Sequence, residues 1–149
     1  MNKLMKRHLR RVMNWWPPFL ASGIRVTRLD PDWRQIDVEL RLHWWNVNYV
    51  GSHYGGSLYS MTDPFYMLML IENLGREYIV WDKAATIRFR RAVKEPVKAI
   101  FTISETQLDE IRSAVREQEK VERTFKVDVR DAQGSVVAEV EKLLYIRRK

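Results

Sequence analysis

The chain has 149 residues with no cysteine, 46% apolar and 30% charged residues, and a formal net charge of +7. That length suits one domain with a real core, and the absence of cysteine excludes disulfides, thiol catalysis and thiolate metal sites. The basic surplus favours anionic partners such as nucleic acid, phosphate-bearing cofactors or acidic lipid, although an ordinary basic surface explains it equally well.

Residues 1–20 read as a basic helical extension. Met5, Leu9, Val12 and Met13 fall at helical spacing, Lys6, Arg7, Arg10 and Arg11 take the opposite face, and Pro17-Pro18 stops the helix. The start has no apolar run of signal-peptide length. The longest apolar stretch, Pro64 to Ile71, falls well short of the roughly 20 residues that span a bilayer. The chain is therefore expected to be cytoplasmic.

Two strands come next. Ile24 and Val26 mark the first, and Ile36, Val38, Leu40 and Leu42 alternate with polar residues in the second, with turn chemistry at Asp30-Pro31-Asp32 between them. From Gly56 to Leu74 the spacing becomes helical and nearly every face is apolar, which predicts a buried helix ending near Gly75. Pro64 within it either kinks the helix or starts a second one.

Strand patterns return at Ile87 and Phe89, and then at Val97, Ala99, Phe101 and Ile103. A short helix with Leu108, Ile111 and Val115 on one face follows a capping signal at Thr106 and Asp109. Phe125, Val127 and Val129 form another strand. Gln133-Gly134 turns the chain into a last one beginning at Val136, Ala138 and Val140. Only one helix is apolar enough to cover such a sheet, which predicts an α+β fold in which a curved antiparallel sheet wraps a central helix. Edges left over in such a sheet commonly pair between subunits.

The chemistry concentrates between the second strand and the buried helix. Asn48 to Gly56 reads Asn-Tyr-Val-Gly-Ser-His-Tyr-Gly-Gly, and Asp63 follows inside the apolar stretch. A carboxylate among Met61, Phe65 and Met67 is expensive unless paired or functional, though Asp63 before Pro64 also suits a helix N-cap. Gly55 and Gly56 at a helix start expose amide donors that stabilise an oxyanion, or they form a plain turn. Asn48 is read equally as a turn residue or a site residue, and His53 as a ligand contact or a loop hydrogen-bonder. Arg88, Arg90 and Arg91, with Lys94, form a basic stripe suited to coenzyme A phosphates or simply to solubility. Trp15, Trp16, Trp44 and Trp45 are expected in the core, at an interface or along an acyl tunnel.

The string Asn48-x-x-Gly51-x-x-Tyr54-Gly55-Gly56 followed by Asp63 resembles the hotdog thioesterases of the phenylacetate-pathway type, as does the run Ala85 to Ala92. A closer resemblance is to a thioesterase-like hotdog family usually left as a domain of unknown function. It is carried by Asn14–Pro18, His53–Gly56, Asp63–Met67 and Trp81–Ala84, and it spans nearly the whole chain. The resemblance implies a single hotdog domain over residues 1–149 and a homo-oligomer, a dimer or dimer of dimers, with the site at the subunit interface. It implies an acyl-CoA or acyl-carrier thioester as substrate, with coenzyme A present only as part of that substrate and no separate cofactor. Gly55 and Gly56 would hold the thioester carbonyl, Asp63 would act as nucleophile or general base, and Asn48 would orient substrate or water. His53 and Tyr54 are expected to contact the substrate, with the departure that the pattern has His where this chain has Tyr54 while His53 lies one position earlier.

A non-catalytic acyl or lipid binder is the alternative, with residues 1–14 resting on an anionic membrane. Nucleic acid is not expected as a partner, since no binding motif accompanies the charge. His8, His43 and His53 lack metal-ligand spacing, and no phosphate loop, nucleophile elbow or dinucleotide fingerprint occurs.

Overall fold

The computed structural model describes residues 3–149, with side chains from His8 onward, so Met5, Lys6 and Arg7 of the expected amphipathic helix lie outside the described side chains. Two helices open the chain, α1 (Lys3–Asn14) and α2 (Pro17–Ser22). The single expected helix is thus two. The proline pair ends the first and opens the second from its first turn, where a missing N–H costs nothing. Buried Phe19 of α2 packs its ring against Phe65, with centroids 6.0 Å apart.

The strands are β1 (Ile24–Leu29), β2 (Gln35–Leu40), β3 (Tyr78–Phe89), β4 (Val97–Thr102), β5 (Lys120–Arg130) and β6 (Val136–Arg148). They form one antiparallel sheet in the order β1-β2-β4-β5-β6-β3. The period-two alternation points one face of each strand at the core. Ile36, Val38, Val97, Phe101, Val129, Val140 and Leu144 are all essentially inaccessible.

The curved sheet wraps the apolar helix, which is interrupted. α3 (Gly55–Ser60) and α4 (Phe65–Leu74) are separated by a turn that ends at Pro64, so proline starts a second helix. Phe65, Tyr66, Met69 and Leu70 of α4 are buried against the sheet, with the Tyr66 ring 5.2 Å from Phe101 and 4.8 Å from Phe125. The last helix, α5 (Glu105–Glu117), buries Leu108, Ile111 and Val115 as their spacing predicts. Its cap differs from expectation. Ser104 and Gln107 form a reciprocal capping box, two residues ahead of the Thr106 signal.

The two edge strands are finished differently. Along β1, Asn14 at the end of α1 acts as a piece of strand: its Nδ2 donates to Val26 O (3.1 Å) and its Oδ1 accepts from Val26 N (2.7 Å). Arg10 adds a bond to Thr27 O. β3 is twelve residues long and pairs with β6 alone.

Candidate functional site

Asn48 organises the segment that leads into α3. Its Oδ1 accepts from Val50 N (3.1 Å) and Ser52 N (2.9 Å), and its Nδ2 donates to Ser52 Oγ (2.9 Å) and His53 O (3.1 Å). Those four bonds use the full capacity of the amide, so a bond to substrate would displace one of them. His53 is buried, with Nε2 2.8 Å from Glu95 O and its N–H donating to Val93 O. The turn reading of Asn48 and the loop-bonding reading of His53 are therefore both realised.

Gly55 and Gly56 open α3 beneath two aromatic rings. A Cβ on Gly56 would lie 2.5 Å from Tyr54 Cε1, and one on Gly55 would lie 3.1 Å from Phe89 Cζ. Glycine at both positions lets the two rings pack directly on the backbone, and a larger residue would displace them. Tyr54, more than half exposed, thus leans over the start of the helix.

Asn48, His53, Gly55, Arg90 and Arg91 border one cleft of about 370 Å³, with Leu58 and Phe89 as its apolar wall. The expected basic stripe is not one stripe. Only Arg88 lies within β3, facing Glu139 across the β6 pairing, while Arg90 and Arg91 follow the strand's end. Arg90 pairs with Glu139 at 2.6 Å and Arg91 pairs with Asp131. Adjacent residues on extended chain point apart, which sends the two guanidiniums to different carboxylates.

Asp63 is elsewhere. It does not cap α4, whose N-cap is Pro64 with no side-chain cap bond. Its Oδ1 accepts from Tyr59 Oη (2.9 Å) and from Lys142 Nζ (2.8 Å). Neither bond involves Oδ2, and the side chain is 49% exposed. The carboxylate is held by one oxygen and presented by the other.

Lys142 was not expected at all. It sits on β6 between Val140 and Leu144, on the inward face, and is 0% exposed. Desolvation of a lone ammonium there would cost several kcal/mol. Its partners are Asp63, Tyr59 Oη (3.3 Å) and Asp82 Oδ1 (3.4 Å), and it also lies 5.2 Å from the centre of the Tyr59 ring. Burial works against the charge, but the bond to Asp63 and the two carboxylates outweigh it, leaving Lys142 above the usual lysine range. Burial pushes Asp82 upward against the opposing pull of Lys142, whose Nζ lies 3.4 Å from its Oδ1. Tyr59 is raised by burial and by the charge it donates to.

A β-bulge delivers Asp82. The β3–β6 register slips between Asp82 and Ala84, so Val80 and Asp82 face inward before the slip, and Ala85, Ile87 and Phe89 face inward after it. Asp82 and Ala85 therefore both lie on the face that Lys142 occupies. The sequence signal was present as alternation: Val140, Lys142, Leu144 and Ile146 are a period-two set with one charged member.

One chain does not bring Asp63 to the cleft. Lys142 pairs across from Ala85, whereas Phe89 borders the cleft. Four residues of strand separate them by about 13 Å.

A family model described as "Domain of unknown function (DUF4442)" matches residues 5–146. No curated protein sequence matches the chain. In structure it is similar to a protein of unknown function from Pseudomonas aeruginosa described as a probable thioesterase, with TM-score 0.82 and 23% identity, covering 100% of this chain and 97% of that one. It is also similar to a protein of unknown function from Chlorobaculum tepidum, with TM-score 0.75 and 12% identity, covering 97% and 95%. A thioesterase from Haemophilus influenzae gives TM-score 0.68 and 12% identity, covering 95% and 90%. These likenesses show the hotdog fold.

Proposed function

The chain belongs to the family described as Domain of unknown function (DUF4442), and from that premise and the geometry above we propose that it hydrolyses acyl thioesters of coenzyme A or an acyl carrier at a site built by two copies. The observation that carries this reading is Asp63, a half-exposed carboxylate in the turn between the two apolar helices α3 and α4, anchored through one oxygen by Tyr59 and buried Lys142. Two neighbours named as thioesterases support the reaction class.

The second copy enters through β3. Ala85 and Phe89 lie on the helix-side face yet remain exposed, and the whole strand offers about 40 Å of unpaired edge. An antiparallel two-fold pairing centred on Ile87 would set Ala85 of one copy against Phe89 of the other. That register carries each Asp63 towards the cleft of the opposite copy and removes the 13 Å gap of about four residues.

In this arrangement the acyl chain lies against Leu58 and Phe89, and the carbonyl oxygen meets the Gly55 and Gly56 amides. Asn48 holds the loop that shapes the cleft. Asp63 Oδ2 takes a proton from water as the water oxygen bonds to the carbonyl carbon. The C–S bond then breaks as the oxyanion re-forms the carbonyl, the departing sulfur takes the proton back from Asp63, and a free acid and a thiol leave. Lys142 and Tyr59 keep the carboxylate aimed. Arg90 and Arg91 stand where coenzyme A phosphates would arrive, exchanging their present carboxylate partners.

Thiol release from a series of acyl-CoAs tests the reading. Asp63→Asn should lower kcat by about 10²–10⁴-fold with little change in KM. Mixing inactive Asp63→Asn with inactive Gly55→Val should restore about a quarter of wild-type activity, because half the pairs then hold one intact composite site. No turnover of any thioester by the wild type would overturn the reaction. Turnover without complementation would overturn the composite site.

A further inference from the structure

The β1 end of the molecule carries side chains that the thioester reading does not use. Arg10, Arg11, Arg25 and Arg41 border one cleft of about 500 Å³ together with Trp15 and Trp45, and no carboxylate lines it. Arg10 is engaged with Thr27 O and Arg41 with Glu39. Arg11 and Arg25 make no ion pair among the described residues. Trp15 also borders a neighbouring cavity of about 540 Å³, walled mainly by Val12, Met13, Trp16 and Pro17.

The four tryptophans expected in the core or at an interface are not in the core. Trp15 is 76% exposed and Trp44 86% exposed, and Trp16 and Trp45 are each about half exposed. Converging guanidiniums repel one another unless an anion neutralises them. Clustered exposed indoles are unfavourable in water and suit the boundary between water and hydrocarbon.

One partner satisfies both features. We propose that this face docks on an anionic membrane surface, with lipid phosphates in the arginine cleft and Trp15, Trp16 and Trp44 at headgroup depth. A free phosphoryl ligand would neutralise the arginines but leave Trp16 and Trp44 in water. A second copy would meet this face through a two-fold axis, setting arginines against arginines. The docking face and β3 lie at opposite edges of the sheet, so docking is compatible with pairing along β3 and independent of it.

Co-sedimentation of the full chain with sucrose-loaded vesicles tests this. Vesicles of equal parts phosphatidylcholine and phosphatidylglycerol should bind it, and pure phosphatidylcholine should not. Binding should fall as salt is raised. Each of Arg11→Gln and Arg25→Gln should weaken partitioning about fivefold, and the pair about 25-fold. Trp44→Ala should also weaken it, and tryptophan emission should shift to the blue on acidic vesicles. All three positions are exposed, and circular dichroism verifies that each variant folds. Absence of binding to acidic vesicles at low salt overturns the proposal, as does a double arginine variant that binds like wild type. Two further results overturn it: arginine-dependent binding of pyrophosphate by a chain that ignores vesicles, and a change in sedimenting mass on Trp44→Ala, which would assign the face to self-assembly.

Discussion

The sheet ends in β1 on one side and β3 on the other, and each strand has one unpaired flank. β1 is six residues long, carries a register slip between Val26 and Arg28, and is sealed at Val26 by the Asn14 side chain. β3 is twice as long, its one slip falls mid-strand between Asp82 and Ala84, and the stretch from Ala85 to Phe89 beyond it keeps a regular register with an open outer edge. A short, irregular, capped edge resists addition of another strand, whereas a long regular one invites it. The difference comes from what precedes each strand. A helix ending in asparagine runs beside β1, while β3 follows α4 after Gly75 and, among the described residues, pairs with no strand on its outer flank. The covered edge is consequently free to face other partners, and the open edge is the one suited to a second copy.

The largest expected effect lies where β6 and β3 meet the helix. Lys142→Met leaves the part-buried Asp82 without its cation and should cost about 2–4 kcal/mol in urea unfolding. Adding Asp82→Asn should recover part of that loss by removing the stranded charge. Unchanged stability in Lys142→Met would mean that the ion cluster does not tie β3 to the core.

Ile87→Asp sharpens the comparison next. At the centre of the proposed β3 pairing it sets two carboxylates against each other, and association should weaken at least tenfold, about 1.4 kcal/mol, by sedimentation. An equivalent loss from a change on β1 would break the distinction between the edges. Asn14→Ala removes both side-chain bonds to Val26 and should lower stability by about 1 kcal/mol in thermal unfolding. It should also make β1 prone to self-association, which the same sedimentation measurement detects.

The smallest effect is in pH dependence. Lys142 and Tyr59 are both raised in the folded chain, so both favour their protonated forms there. Their contribution is complete below the ordinary lysine and tyrosine values and is lost as pH rises through the folded ones. Stability should fall on the alkaline side in wild type, and that fall should be shallower in Lys142→Met.

Much of the fold was legible from local periodicity. Ile36, Val38 and Leu40 alternate because successive side chains of a strand face opposite ways, and all three are buried. The continuous apolarity of residues 65–71 marked a helix enclosed by the sheet, and Pro64 marked its break. Asp63 stood out because a carboxylate in apolar sequence is costly unless it has partners.

Those partners were not legible. Lys142 lies 79 residues from Asp63 and becomes its neighbour only through the position of β6 against the helix. Asp82 joins them because one bulge in β3 changes which residues face inward. Trp15, Trp16, Trp44 and Trp45 were expected in the core, at an interface or along an acyl tunnel, and Trp15 and Trp44 face water while Phe65, Phe101 and Tyr66 fill the sheet interior. Strand and helix identity follow from neighbours within a few residues, so the sequence by itself determined them. Burial of a particular charge, exposure of a particular indole and the fate of each sheet edge depend on register and packing between distant segments, and only the tertiary structure decided those.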